Sequence, residues 1–278
     1  MSLFSFFGAL EIGLIFSLVA LGVFISFRLL RFPDLTVDGS FPLGGAVGAV
    51  CIANGMDPFL ATACATLAGA AAGVVTALLN VKLKIMDLLA SILMMIALYS
   101  INLRIMGRPN VPLIMEPTIF SVLQPDWLID YVARPLLLVI IVILAKLLLD
   151  AYFTTRQGLA IRATGSNPRM ARAQGVNTGV MIILGMAISN GLVGLAGALY
   201  AQTQGGADIS MGIGTIVIGL AAVIIGESIL PARKLFLVTL AVIIGAIIYR
   251  FFIALALNSD FIGLQAQDLN LVTAILVP

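Results

Sequence analysis

Hydrophobic runs of about 20 residues follow one another along almost the whole chain, separated by short polar or charged breaks. A helix needs roughly 20 apolar residues to cross the hydrocarbon core of a bilayer, so each run predicts a membrane-spanning helix. The chain is therefore expected to be an all-α polytopic membrane protein, with 1–278 forming a single transmembrane domain. Breaks at charges and prolines predict eight spans, at 8–27, 38–53, 58–79, 85–106, 135–152, 179–202, 211–230 and 235–257. The C-terminal stretch "DLNLVTAILVP" begins like a ninth helix but is too short to cross, so about eight spans are expected.

The distribution of positive charge predicts the orientation. With the N-terminus outside, eleven of the fifteen Lys and Arg residues fall on the inside. Such an excess is typical of the cytoplasmic side of a membrane protein, so we expect the N-terminus to lie outside. The predicted inside charges are Arg28, Arg31, Lys82, Lys84, Lys146, Arg156, Arg162, Arg169, Arg172, Arg233 and Lys234.

Composition narrows the function classes. The chain is 61% hydrophobic and 10% charged, and it contains no histidine. Its two cysteines, Cys51 and Cys64, lie in separate apolar runs, so neither a metal site nor a disulfide framework is expected. There is no phosphate-binding G-x-x-x-x-G-K-[ST] loop and no nucleophile beside a plausible base, which argues against ATP binding through that loop and against an enzyme. A net charge of +2 implies no nucleic-acid partner.

The stretch "FPDLTVDGSFPLGG" is unusually polar for its position between hydrophobic runs. Its prolines and glycines disfavour a regular helix, so an interrupted helix is predicted near 33–45. Non-helical backbone at membrane depth is tolerated where it is buried in protein or lines a wet cavity. Two interpretations stay open, because these side chains could line a transport path or could simply cap helix ends. The polar residues concerned are Asp34, Thr36, Asp38 and Ser40.

A second stretch, "ADISMGIGTIVIGLAAVI", can be laid over "PDLTVDGSFPLGGAVGAV" without a gap. Asp34 then aligns with Asp208 and Thr36 with Ser210, which predicts a second interrupted helix near 207–215. The two copies enter the membrane from opposite sides, as in an inverted repeat whose halves begin at spans one and six. Chance similarity between two small-residue helices is the alternative. In such repeats, matching interruptions mark the transport path, so Asp208 and Ser210 join the candidate path residues.

Two loops are also unusual. The inside loop 153–177 holds four arginines, and Asn167, Pro168 and Gly175 predict a short helix between an N-cap and a C-terminal stop. It could contact a protein partner or anionic lipid headgroups. The outside loop 107–134 is long for a simple turn and is a docking candidate.

Four motifs in order, "FPDLTVDGSF", "IMGRPNVPL", "GLAIRATGSNPRMARAQGVN" and "ADISMGIGTIVIGLAAVIIGE", resemble those of a known family. The chain resembles the permease subunits of bacterial ABC importers of the branched-chain amino acid and ribose class, more narrowly those paired with tryptophan- and tyrosine-type binding proteins. The resemblance implies an inner-membrane importer of a small organic solute that works by alternating access. An amino acid is the expected solute, with a sugar or nucleoside left open.

The resemblance also implies partners. A cytoplasmic ATPase subunit would carry ATP and Mg²⁺, none being expected in this chain, and a periplasmic or lipid-anchored binding protein would deliver the solute. A second permease copy would complete a homodimer, with a heterodimer left open. Binding-protein docking would involve Arg108, Asn110 and Pro112. The coupling loop that docks on the ATPase would involve Arg162, Gly165, Asn167, Arg169, Met170, Arg172 and Gly175.

Two rival functions remain at this stage. An ion-coupled secondary transporter would also show inverted repeats and intramembrane carboxylates. A membrane scaffold that transports nothing could use the arginine loop to recruit a cytoplasmic partner. Clustering of the arginines in one helix-forming inside loop favours the ABC importer over the ion-coupled transporter.

Overall fold

The computed structural model describes residues 3–123, 130–232 and 234–257, and this part of the chain is mostly helical. Eight long helices lie close to the eight predicted spans. They are α1 (Leu3–Val23, continued by a π-helix at Phe24–Leu29), α2 (Val37–Ala53), α3 (Pro58–Val81), α4 (Asp87–Met106), α6 (Asp130–Thr154), α9 (Thr178–Gln204), α10 (Thr215–Ile229) and α11 (Leu235–Leu257). The shorter elements are β1 (Asn110–Pro112), α5 (Ile119–Leu123), α7 (Arg156–Ser166), α8 (Pro168–Ala173), β2 (Gly206–Asp208) and a 3-10 helix (Ile209–Gly212).

The helices confirm the prediction of a polytopic membrane protein. Within the described ranges, seven helical segments are long and apolar enough to cross a bilayer, and α2 is a shorter apolar helix. The first interruption is narrower than predicted, because only residues 30–36 are non-helical and 37–45 belong to α2. Pro42 is tolerated inside α2, where it removes a single backbone hydrogen bond. The C-terminal stretch that begins like a ninth helix lies outside the described residues.

Local sequence explains where several helices begin and end. Asp57 precedes Pro58 and caps α3 by accepting hydrogen bonds from the backbone N–H groups of Phe59 and Leu60 at 3.2 and 3.3 Å. Such a cap satisfies donors that lack partners in the first turn. Gly107 and Gly205 end α4 and α9 in the left-handed conformation, which glycine adopts without steric cost.

Small residues hold the centre of the bundle together, where α9 packs against both α2 and α3. A Cβ atom added to Gly194 would lie 2.8 Å from the carbonyl oxygen of Ala65 and 3.1 Å from the Cα atom of Gly69, so α9 and α3 approach through their backbones. One added to Gly44 would lie 2.7 Å from the Cα atom of Gly194, which shows the same close approach by α2. Lipid offers apolar surface as readily as protein does, so close backbone packing is what favours helix association here.

The helices repeat as two sets of three. The alignment that pairs Asp34 with Asp208 makes three further pairs of segments equivalent in sequence. They are α1 with α9, α2 with the 3-10 helix and α10, and α3 with α11. The packing repeats as well, since α9 lies against α2 and α3 while α1 lies against α10 and α11. The equivalent helices α1 and α9 run antiparallel, because Ser189 bonds to the carbonyl of Gly22 and Gly185 lies beside Leu30. The arrangement is that of the predicted inverted repeat.

The two ends of the bundle differ. At one end, which we call the α8 end, the C-terminal turns of α1 and α3 meet α7, α8 and the start of α9. At the other, the sheet end, β1 and β2 pair antiparallel with Asn110 opposite Asp208. This small sheet joins the loop after α4 to the loop after α9.

Candidate functional site

The two short helices α2 and α10 begin beside each other inside the bundle. Asp38, in the first turn of α2, accepts a hydrogen bond of 2.8 Å from the backbone N–H of Ile216, in the first turn of α10. With 15 residues, α10 is about 22 Å long and cannot by itself cross a core of roughly 30 Å. Two helix N-termini therefore meet at one carboxylate, a position where the helix dipoles favour negative charge.

A cavity of about 420 Å³ lies at this meeting point. Its wall is mostly apolar, and Asp38 contributes the one charged group among the described residues that line it. The cavity reaches the surface of the bundle, since Tyr99 on α4 is 57% exposed and Ile213 is 72% exposed. The lining residues are Asp38, Gly39, Pro42, Met95, Ile96, Tyr99, Ser100, Asn102, Ile209 and Ile213.

Asp34 lies elsewhere, in a fully buried hydrogen-bond network. Its carboxylate accepts from the backbone N–H of Thr36 at 3.0 Å and from Asn190 Nδ2 at 2.8 Å. The hydroxyl of Ser40 donates to Asn190 Oδ1 at 2.7 Å, and the hydroxyls of Thr36 and Thr76 share a hydrogen bond of 3.0 Å. The network connects the interrupted segment to α9 and α3.

The candidate path residues therefore separate into groups. Asp38 borders the cavity, whereas Asp34, Thr36 and Ser40 are fully buried, form hydrogen bonds within the protein and do not line it. Their role as path residues stays a prediction. The structure shows that their hydrogen bonds connect the interrupted segment and the start of α2 to α9 and α3.

Asp208 and Ser210 form the third group, at the sheet end. Asp208 Oδ1 accepts from the backbone N–H of Ser210 at 2.8 Å and from its hydroxyl. These bonds hold the pKa of the Asp208 carboxyl below its ordinary value, because they favour the ionised form. Thr36 bonds to Asp34 through the same backbone geometry in the other half of the repeat. The two halves of the repeat thus share this hydrogen bond, whereas Asp34 is fully buried and Asp208 is only partly buried.

The predicted docking residues lie beside this group. Arg108, Asn110 and Pro112 are exposed, and Asn110 Nδ2 lies 3.5 Å from Asp208 Oδ2. Asn110, Pro112, Asp208 and Ser210 all line a second cavity of about 460 Å³ at the sheet end. The structure thus brings docking candidates and path candidates to one cavity. The role of Arg108, Asn110 and Pro112 in docking stays a prediction.

The arginine-rich loop contains the predicted short helix. Asn167 caps α8 by accepting from the backbone N–H of Met170 at 3.1 Å, and Gly175 follows with a φ of 81°. Arg169, Met170 and Arg172 are exposed on α8. The segment also contains α7, which the sequence analysis did not predict.

The other two candidate coupling residues lie on α7. Gly165 is buried, and a Cβ atom added to it would collide with the carbonyl oxygen of Leu29 in the π-helix. Arg162 is half-buried. Since α7 touches the π-helix so closely, a displacement of α7 has a direct route to α1.

Several residues of these sites were missed by sequence reasoning. Asn102 and Asn190 were recognisable as rare polar groups within spans, but nothing local showed what they would face. Thr76 and Tyr99 carry no such signal, because one Thr or Tyr in an apolar helix is ordinary. Their contacts depend on which helix faces pack together.

Comparisons with known proteins agree with this architecture. The model of the family described as "Branched-chain amino acid transport system / permease component" matches residues 5–277. The chain is 41% identical over 265 residues to the tyrosine transport system permease protein of Clostridioides difficile, covering 95% of this chain and 86% of that protein. It is 36% identical over 279 residues to an uncharacterized protein of Rickettsia prowazekii, covering 97% and 94%. The ribose import permease protein of Escherichia coli is more distant, with 29% identity over 224 residues, covering 78% and 67%. No solved structure matches.

Proposed function

Because this chain belongs to the family of permease components of branched-chain amino acid transport systems, we propose that it forms the membrane-spanning part of an ATP-driven, binding-protein-dependent amino acid importer. Family membership makes it a transport subunit and a multi-pass protein of the inner membrane. The ATPase, the binding protein, the second permease copy and the amino acid substrate belong to the proposal.

The observation that supports this proposal most directly is the cavity where α2 and α10 begin. Interrupted helices at matching positions of an inverted repeat mark the substrate site of many transporters. Here the first turn of α2, which follows the first interruption, and Ile209 and Ile213 of the second interruption border one cavity. Movement of one half of the repeat against the other would change the access to this cavity. Asp38 lies where such a movement acts, since it bonds across the two halves.

An aromatic amino acid is the substrate that we favour. The relative that is 41% identical is named a tyrosine transport system permease. A volume of about 420 Å³ lies within the range of small-molecule pockets, roughly 300 to 1,000 Å³. Apolar and aromatic side chains such as Met95 and Tyr99 suit an aromatic ring.

A second copy of the chain would complete the path. The cavity is open on the side of Ile96, Tyr99 and Ile213, whose apolar side chains are 60%, 57% and 72% exposed. A path for a polar solute needs a wall that keeps lipid out, and a second copy related by a two-fold axis would supply it.

The α8 end would bind the ATPase. A capped helix that presents Arg169, Met170 and Arg172 to solvent offers both charge and an apolar anchor to a cytoplasmic groove. ATP and Mg²⁺ would bind to that partner.

Purification of the tagged chain from its native membrane tests the proposal. We expect an ATPase subunit to copurify, and ATP-dependent L-tyrosine uptake once the complex and its binding protein are reconstituted in liposomes. In the double variant Arg169→Glu, Arg172→Glu the ATPase should be lost while the permease stays folded in the membrane. The matched control, Lys82→Glu with Lys84→Glu, reverses two exposed charges at the same end outside α8 and should retain it. Uptake driven by an ion gradient without any ATPase would favour the secondary transporter.

A further inference from the structure

Asn102 on α4 presents an unusual acceptor at the cavity between α2 and α4. The side chain is 1% exposed and borders the cavity. Its Nδ2 donates to the carbonyl oxygen of Gly39 at 3.2 Å, which fixes the orientation of the amide. Its Oδ1 is buried and has no hydrogen-bond partner among the described residues. A buried acceptor without a donor is costly, so this oxygen is a position where a donor is needed.

Asp38 supplies a charged acceptor at the same cavity. It lies in the first turn of α2 and is only partly exposed. In the part of the chain that the structure describes, ion pairs form between Arg28 and Glu227 and between Lys146 and Asp150, and neither includes Asp38. The backbone N–H of Ile216 and the two helix N-termini direct partial positive charge at its carboxylate but supply no full positive charge.

The first turns of α2 form part of the cavity wall. Pro42 has no N–H, so the carbonyl of Asp38 lacks the donor that a residue four positions later normally supplies in a helix, and this carbonyl packs against Gly212 of the 3-10 helix. Pro42 and Gly39 both border the cavity. Asp38, Asn102 and Ser100 give the cavity its polar lining, and Met95, Ile96 and Ile213 belong to its apolar lining.

We propose that this cavity holds the ammonium group of an amino acid substrate against Asp38 and Asn102, with the substrate's apolar side chain against Met95, Ile96 and Ile213. The proposal rests on the proposed importer function and assigns a substrate-binding subsite to it. An ammonium carries three N–H donors and one positive charge, so it can satisfy the Asn102 oxygen and neutralise Asp38 at the same time.

A sugar fits the same surface less well. Its hydroxyls could donate to the two acceptors, but they carry no charge to offset a carboxylate in a largely apolar cavity. Its polar outline would also leave hydroxyls unpaired against Met95 and Ile96. Charge and lining therefore both favour an amine with an apolar substituent.

Saturation-transfer NMR on the purified permease complex in lipid nanodiscs tests the subsite, because it detects weak binding. The probes are L-tyrosine, tyramine, which keeps the amine alone, 3-(4-hydroxyphenyl)propanoate, which keeps the carboxylate alone, and D-ribose. We expect L-tyrosine and tyramine to bind. Asp38→Asn keeps an oxygen for the Ile216 N–H but removes the charge, and it should weaken tyramine binding by about tenfold, as expected for one lost charge-assisted hydrogen bond.

Asn102→Leu is the second variant. Leu has a similar volume and removes the unpaired oxygen together with the donor to the Gly39 carbonyl, so the variant should still fold and should also weaken tyramine binding. Asp57→Asn is the control, because it retains a capping oxygen on α3 away from the cavity, and it should bind tyramine normally.

Three results would overturn the subsite: binding of the propanoate as tight as that of tyramine, tyramine binding unaffected by Asp38→Asn, or no amine binding at all. Ribose binding that depends on Asp38 would assign the acceptors to hydroxyl groups and would also overturn it. ATP-dependent uptake of L-tyrosine by the natural complex is measured separately. Uptake without amine binding at the cavity would leave the importer function standing while rejecting the subsite.

Discussion

Among single residues, Asn190 links two members of the buried polar network, Asp34 and Ser40. It donates to Asp34 and accepts from Ser40, so its replacement by Leu leaves a buried carboxylate with one donor fewer. We expect a loss of stability of about 3 kcal/mol, because uncompensated buried charge is costly. Thermal unfolding of the detergent-solubilised protein should show a clearly lower Tm.

The neighbouring Ser189 provides the control for this prediction. Ser189→Ala removes an equally buried hydroxyl, which donates to the carbonyl of Gly22 at 2.7 Å, but it leaves no charge unpaired. Its Tm should fall less. If both variants melt at the same temperature, the Asp34 carboxylate does not depend on Asn190.

The same network shows what single residues reveal in a sequence. Asp34 was recognisable because a carboxylate between apolar runs is rare, and its bond to the N–H of Thr36 follows from the local turn. Its partner Asn190 lies 156 positions away, and only the packing of α9 on the interrupted segment brings them together. Local sequence patterns thus identified the polar residue, whereas its burial and its partner could be known only from the assembled fold.

At the scale of elements, the route from α8 to the cavity passes through α7 and the π-helix. Gly165 on α7 touches the carbonyl of Leu29, and the adjacent Arg28 pairs with Glu227 near the end of α10 at 2.7 Å. The far end of α10 bonds to Asp38 at the cavity. Through α10, the contacts of α7 and the π-helix at the α8 end are thereby connected to the cavity.

This connection predicts the effect of Gly165→Ala. The added Cβ would collide with the Leu29 carbonyl and push α7 away from the π-helix, while the exposed face of α8 stays available. We expect the ATPase to copurify normally but ATP-dependent uptake to fall severalfold. Gly8→Ala adds the same atom to α1 with nothing within 4 Å and should change neither property. Loss of the ATPase together with uptake would mean that Gly165 serves binding rather than transmission.

The elements themselves were predicted unevenly. Long spans follow from composition, because a membrane demands the same hydrophobic length each time. The short α8 followed from its cap at Asn167 and its stop at Gly175. The pairing of β1 with β2 could not be predicted, since its two strands of three residues come from loops 98 positions apart at Asn110 and Asp208. Lys146 was expected with the inside charges but lies buried in α6, paired with Asp150 at 2.5 Å.

For the whole molecule, the inverted repeat was visible in the sequence only at its interrupted helices. These carry turn residues whose local geometry is fixed, so Asp34 and Asp208 each accept from the N–H two residues later. The flanking helices share little more than hydrophobicity, and their correspondence appears only when α1 and α9 are seen to pack in the same way. The inverted repeat therefore includes α1, α3, α9 and α11 as well as the interrupted helices that indicated it in the sequence.

The open side of the cavity leads to the last prediction, that two copies meet along α4. In a variant with Cys51 and Cys64 replaced by serine, Tyr99→Cys should form a disulfide-linked dimer in native membranes under mild oxidation. Tyr99 is exposed at the rim of the cavity, and a two-fold axis there would bring both cysteines together. Leu67→Cys, 69% exposed on α3, is the control for random collision in the bilayer and should remain uncrosslinked. Equal crosslinking at both positions would place the copies elsewhere, and the cavity would then need a different wall.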